Sequence, residues 1–179
     1  MLCKEAKNPL HLVSAWSEAN QLVLGAVRTA SKGNEITSIK ELLDVLVLSK
    51  GDVITIDAIG CQIDIAKKIH GADYLLAVKQ NQPKLADELA NFFDQATQAV
   101  EYAPVAMHRI QRAERGRDDI QETWVTEDIE WLPKKSQWAG LSSLIMIYRQ
   151  WIEKGKSHEE KRYYICSCRA DPECFAHLT

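Results

Sequence analysis

No stretch of this 179-residue chain is apolar over the roughly 20 residues that a membrane-spanning helix needs. The start, Met1-Leu2-Cys3-Lys4-Glu5-Ala6-Lys7, has no apolar signal core. Both absences lead us to expect a cytoplasmic protein without a membrane partner. A basic excess is missing too. The net charge is −3, with 10 basic and 12 acidic side chains in residues 1–100 and 12 and 13 in the remainder. Bulk charge therefore gives no support for nucleic-acid binding, which only a local patch could supply. There is also no C-x-x-C pair. Five cysteines at 3, 61, 166, 168 and 174 are an odd count, and without a signal peptide they read as reduced thiols. What is present, 46% hydrophobic and 26% charged residues, is ordinary for one globular domain, or one domain with an insertion.

The chain is organised around Val53-Ile54-Thr55-Ile56-Asp57-Ala58-Ile59-Gly60-Cys61-Gln62. Its continuous apolar run predicts a strand covered on both faces. Asp57 falls at the end of that strand, where a carboxylate is costly to desolvate unless a metal, a base or helix N–H groups pair with it. Gly60 allows a turn, and an amphipathic segment follows. Ligands of open α/β sheets gather at such a turn.

Upstream, His11–Trp16 and Leu22–Val27 flank the polar Glu18-Ala19-Asn20-Gln21 and predict an antiparallel hairpin. Ser38 with Glu41 matches a capping box, and Ile39, Leu42, Leu43 and Leu46 share one helical face. Downstream, Ile65, Ala66 and Ile69 form a short helix that His70-Gly71 ends. Asp73–Val78 is a second buried strand. Pro83 opens a helix whose buried stripe is Leu85, Leu89, Phe92, Phe93 and Ala96. The first hundred residues thus read β-β-α-β-α-β-α. Strands then dominate: Met107–Gln111, Ile120–Val125, Ser142–Trp151 and Lys161–Cys168. Arg149 to Cys168 reads as a long hairpin with Glu153–Glu160 as its polar tip, and Trp131, Trp138 and Trp151 supply bulk for a small core. Asp171 before Pro172 starts a last helix. A helix that stops within about two turns of its cap buries little of a face, so the sequence looks cut there.

Several segments together resemble the DDE transposases of the H-repeat-associated insertion-sequence family. They are His11-Leu12-Val13-Ser14-Ala15, Leu22-Val23-Leu24-Gly25, Asn34-Glu35-Ile36-Thr37 and Glu41-Leu42-Leu43, then Thr55-Ile56-Asp57-Ala58 with Gly60-Cys61-Gln62. Ala72-Asp73-Tyr74, Lys79 with Asn81-Gln82, Arg115-Gly116-Arg117, Trp138-Ala139-Gly140-Leu141 and Arg162-Tyr163-Tyr164-Ile165 follow in the family's order. The resemblance implies an α/β, ribonuclease-H-like mixed sheet flanked by helices, with a β-rich insertion after the third helix. It divides the chain into a partial catalytic core over 1–100, the insertion over 101–170, and the start of a C-terminal catalytic helix over 171–179.

It further implies cleavage and transfer of DNA strands at insertion-sequence ends, using two Mg²⁺ or Mn²⁺ ions held by three carboxylates and no organic cofactor. Asp57 matches the middle acid, a catalytic and metal-binding role. The first acid lies in an Asp-Gly-Lys context on a strand upstream of the hairpin, and the third in a Trp-x-Ile-Glu-Asn context on the last helix. This chain contains neither. The expectation is a fragment inactive alone, which exposes strand edges where the first strand would lie and self-associates or fills that gap. The alternative is a non-catalytic remnant that binds DNA or an intact transposase and inhibits it.

Each candidate residue also has a plainer reading. Asp57 could simply cap the following helix. Lys79, Asn81 and Gln82 could contact a phosphate or a flipped base, or only shape the turn before Pro83. Arg109, Arg112, Arg115 and Arg117 form the one dense basic stretch and could position a DNA backbone; the alternative is a solvated loop whose charge Glu114, Asp118 and Asp119 offset. Cys166, Cys168, Cys174 and His177 could suggest structural zinc, although small buried thiols are the ordinary reading. Cys61 beside the Asp57 turn has no histidine near it in sequence to activate it.

Overall fold

Alternation of side chains along two short strands builds the first element of the structure. β1 (His11–Ser17) and β2 (Leu22–Thr29) form the expected antiparallel hairpin, with a register shift between Ala15 and Trp16. In this computed structural model, residues 11–29, 33–99, 103–114, 117–169 and 171–177 are described, at 113, 114, 117 and 118 by backbone alone. The chain forms two units, Met1–Leu48 and Ser49–Thr179.

In the first unit, α1 (Glu35–Val45) packs on the hairpin through Ile39, Leu42 and Leu43. A Cβ on Gly25 would stand 3.3 Å from Leu42 Cδ1, so the small residue permits the close approach. The helix begins four residues before the expected Ser38 cap, at Asn34, whose backbone carbonyl accepts from Ser38 N at 3.0 Å. Ser38 is buried inside the helix, and Leu46 falls just beyond it as the C-cap. A capping-box pattern inside a helix carries no start signal, because the donors it would satisfy are already paired. The hairpin leaves Leu12, Trp16, Leu22, Val23 and Leu24 exposed.

The second unit is an α/β arrangement around a mixed six-stranded sheet. Its strands are β3 (Val53–Ile56), β4 (Asp73–Val78), β5 (Ala106–Glu114), β6 (Arg117–Thr126), β7 (Ser143–Glu153) and β8 (Lys156–Cys166), in the order β3-β4-β8-β7-β6-β5. β3 and β4 are parallel and joined through α2 (Ile63–Lys68); every other pairing is antiparallel. The strands of the second half are thus continuous with the first, because β8 returns to pair with β4, Val78 lying opposite Tyr163 and Leu75 opposite Cys166.

Register assigns residues to the two faces of the sheet. One face carries Leu76, Val78, Tyr163 and Ile165, and α3 (Pro83–Gln98) covers it with Leu85, Leu89, Phe93 and Ala96. Phe93 stacks on Tyr163 with ring centroids 6.3 Å apart, and Lys161 Nζ reaches Asp94 at 2.6 Å. The other face carries Asp57, Leu75, Ala77, Tyr164, Arg162, Glu160, Ile145 and Ile147. Here α4 (Pro172–Phe175) docks. Phe175 packs with Leu75, Val125, Ile145, Ile147 and Cys166, and Gln121 Nε2 donates to the Ala176 carbonyl at 2.8 Å. Asp171 caps α4 as expected, accepting from Glu173 N at 2.9 Å.

Four expectations are corrected. β3 is not covered on both faces: it is the edge strand, alternately exposed and half-buried. An apolar run reports tolerance of burial, and edge position decides its extent. The β7–β8 tip is not the polar stretch 153–160 but the two residues Lys154 and Gly155, at φ 51° and 74°. Positive φ at both is the turn whose twist matches antiparallel strands, and the charges around it sit on strands. The tryptophans do not form one core. Trp138 is buried, Trp131 stacks on Phe92 at 4.7 Å, and Trp151 stacks on His158 at 5.3 Å. Finally, α4 buries both Phe175 and Ala176 despite its length.

Candidate active site at the carboxyl end of the sheet

The parallel strands β3 and β4 end side by side, and the loops that follow them are laced together. Asp57 takes an extended backbone (φ −66°, ψ 178°) and caps a 3-10 turn over Ala58–Gly60, its Oδ1 accepting from Ile59 N at 3.2 Å. The capping reading of Asp57 is therefore real, and it uses one carboxylate oxygen. From the loop after β4, Asn81 Nδ2 donates to the Ala58 carbonyl and Gln82 Nε2 to the Cys61 carbonyl at 3.0 Å. Asn81 Oδ1 also accepts from Lys79 N at 3.3 Å. The two amides hold the turn that presents Asp57. Cys61 is fully buried beneath this turn, and burial pushes its thiol up to about 12, the opposite of what a nucleophile needs.

A cleft of about 390 Å³ opens beside Asp57, and its lining includes Ala77, Lys79, Glu160, Arg162 and Tyr164. Arg162 Nη2 donates to Glu160 Oε2 at 2.8 Å. That bond holds the Glu160 carboxyl below the usual range, and the charges of Arg162, Lys79 and Arg149 act in the same direction against partial burial. One strand further on, Arg149 Nε bonds both Asp119 oxygens, at 3.0 and 3.1 Å, and the guanidinium lies 5.5 Å from the Trp151 ring centroid.

Arg109 and Arg112 are not part of this lining. Arg109 and Arg112 lie on the same strand, β5, an odd number of residues apart, so they point to opposite faces. Arg109 lies 3.6 Å from Glu122, and Arg112 stands opposite Asp119. Arg117 is opposite Glu114 at the start of β6, and Arg115 lies outside the described residues. Glu160 and Arg162 were missed as site residues. Their alternate spacing on a strand was the available signal, but the segment around Glu160 read as a hairpin tip.

Residues 3–178 match the family described as "Transposase DDE domain". The chain belongs to this family. It is 41% identical over 177 residues to "Putative transposase YncI" of Escherichia coli O157:H7, covering 96% of this chain and 45% of that protein. To "H repeat-associated putative transposase YhhI" of E. coli strain K12 it is 36% identical over 177 residues, 95% of this chain and 46% of that protein. An 81-residue segment, 44% of this chain and 32% of the relative, is 52% identical to "H repeat-associated putative transposase YbfD" of the same strain. The chain thus spans about half the length of the transposases it matches end to end. No solved structure matches it.

The family's divalent metals need several converging carboxylates. Among the described residues no group of three or more His, Cys, Asp or Glu side chains is placed to hold a metal ion. Asp57 is exposed with one oxygen committed to its turn, and Glu160 in the same cleft is tied to Arg162. By themselves the described residues of this DDE transposase domain do not fit a metal pair, nor do Cys166, Cys168, Cys174 and His177 form a zinc cluster. Among the described residues no helix is long and apolar enough to cross a membrane.

Proposed function

We propose that this DDE transposase domain supplies the middle acid, Asp57, of an enzyme that cuts and transfers DNA strands at insertion-sequence ends by phosphoryl transfer with Mg²⁺ or Mn²⁺. The observation that carries this reading is the position of Asp57 at the carboxyl end of β3, on the wall of a cleft that is also lined by Lys79 and Arg162. The fold we assign is ribonuclease-H-like, with residues 1–100 as a partial core, 101–170 as a β-rich insertion and 171–179 as the start of the last catalytic helix. One carboxylate cannot hold two metal ions in register, so we assign the reaction to a longer chain and inactivity to these residues alone. The protein then works in the cytoplasm, on DNA.

The test is nicking of a plasmid carrying insertion-sequence ends, with Mn²⁺, by this chain and by a full-length relative. The chain is expected to leave the plasmid intact, and the relative to cut it unless the aspartate matching Asp57 is replaced by Asn. Nicking by the chain alone would overturn the inactivity. Full activity of the Asp→Asn relative would overturn the role of Asp57.

A second reading is favoured by the place of β3 at the end of its sheet and by the exposed apolar hairpin residues Leu12, Trp16, Leu22, Val23 and Leu24. Such surfaces recruit another chain. The domain then pairs with itself or with an intact transposase, or occupies its DNA, and inhibits it. A strand-transfer assay of the full-length relative with a large excess of the chain decides this, and undiminished transfer would exclude it.

A further inference from the structure

We infer that Lys79 and Arg162 form a clamp for a backbone phosphate of a DNA strand in the cleft beside Asp57, and that Glu160 positions the Arg162 guanidinium. The inference rests on the reading of DNA as the substrate, and adds to it a residue pair and a subsite.

Three observations support the clamp. The first is register. Val78 pairs with Tyr163 where β4 ends, and Lys79, directly after Val78, and Arg162, directly before Tyr163, both line the cleft that Asp57 borders. Strands separated by some eighty residues in sequence thus bring two cations to one wall. The second is space. A cleft of about 390 Å³ falls within the few hundred cubic ångströms typical of ligand sites, and Asp57 and Ala58 are part of its lining. The third is charge. Lys161 turns to Asp94 on the α3 face, so the cations of the lining that face the cleft are Lys79 and Arg162, set against Asp57 and Glu160, a balanced wall in a chain that is at −3 overall.

The chemistry of the pair fits a phosphate. Arg162 offers a planar fork of N–H donors and Lys79 a compact mobile charge, a combination that grips two oxygens and tolerates movement of the third. Glu160 takes one arm of the fork, at 2.8 Å. An exposed arginine held at one arm loses less side-chain entropy when its other arm binds. In this view Glu160 contributes orientation at the cost of a local negative charge.

That opposition makes the positioning role testable. The probe is a fluorescein-labelled DNA duplex of random sequence, titrated with the purified chain over a range of KCl concentrations. Lys79→Gln and Arg162→Gln are each expected to weaken binding about tenfold and to reduce the slope of log K against log salt by about one. Arg162→Lys keeps the charge but not the fork, so it should retain the slope and lose affinity. Lys134→Gln, an exposed loop cation outside the cleft, should change neither quantity. Glu160→Gln removes a negative charge, so a purely electrostatic surface would bind DNA more tightly; positioning predicts weaker binding instead.

Wild-type affinity and slope in Arg162→Gln would overturn the clamp while leaving the DNA reading intact. Tighter binding by Glu160→Gln would overturn the positioning role. A wild-type chain that fails to bind the duplex even at low salt would remove the DNA reading, and the clamp with it. Thermal unfolding of every variant accompanies the titrations. Both altered cations are substantially exposed, so unfolding midpoints near wild type are expected.

Discussion

Phe175→Ala tests whether α4 is seated on the face that carries Asp57. Phe175 is 5% exposed and packs with Leu75, Val125, Ile145, Ile147 and Cys166. In a rigid core, removing a phenyl ring costs about 3 to 5 kcal/mol because the cavity persists. Here the cost has a ceiling. α4 is a single short turn held by Phe175, Ala176 and the bond from Gln121 to the Ala176 carbonyl. If the cavity becomes too costly, the helix can leave the sheet. The loss is then what docking itself contributes: about 1.5 to 3 kcal/mol of ring burial and about 1 kcal/mol for the hydrogen bond, less the entropy regained by the released residues. A destabilisation of about 2 to 3 kcal/mol is expected, below the rigid-core range. Urea unfolding followed by tryptophan fluorescence measures it, and with a slope near 2 kcal/mol per molar the midpoint falls by about 1 M. A fall under about 0.25 M would refute the docking and, with it, the placement of α4 on that face.

Two further outcomes follow from the electrostatics and the thiols. Arg162 holds the Glu160 carboxyl below its usual range, so its contribution to stability is complete above the unfolded-state value and fades as pH falls through the folded one. The gap in melting temperature between wild type and Glu160→Gln should therefore close on acidification through and below the ordinary carboxylate range. A gap that is constant with pH contradicts the pairing. Among the four described cysteines, iodoacetamide should modify the exposed Cys174 first in the native state, while Cys61 and Cys166, both buried with thiols pushed well up, react only on unfolding. Peptide mass spectrometry resolves the sites, and labelling of Cys61 as fast as Cys174 would contradict its burial.

Local signals read well along this chain. Pro83 opens α3, Asp171 caps α4, and Gly71, at φ 80°, follows α2 where the apolar pattern stops. Each works because a backbone constraint acts within a turn of the residue that causes it. Asp57 was legible for the same reason, as an acid at the end of an apolar run. The Ser38–Glu41 pattern misled because capping chemistry is defined by position relative to a helix start, which the pattern alone does not set. The tip of β7–β8 was overestimated because charged residues on solvent-facing strand positions look like a loop until their partners are known.

The sequence by itself determined the order and type of the elements, the caps, the apolar stripe of α3 and the family to which the chain belongs. Only the tertiary structure decided that β8 pairs with β4, that β3 is left at the sheet edge, and that Arg162 and Glu160 come to stand beside Asp57 and Lys79. The reason is range. Helix periodicity and capping arise from neighbours a few residues apart, whereas a sheet ladder joins positions such as Val78 and Tyr163 whose separation leaves no trace in local pattern. A site built across three strands is set by register, and register is fixed only when the whole sheet closes on its core.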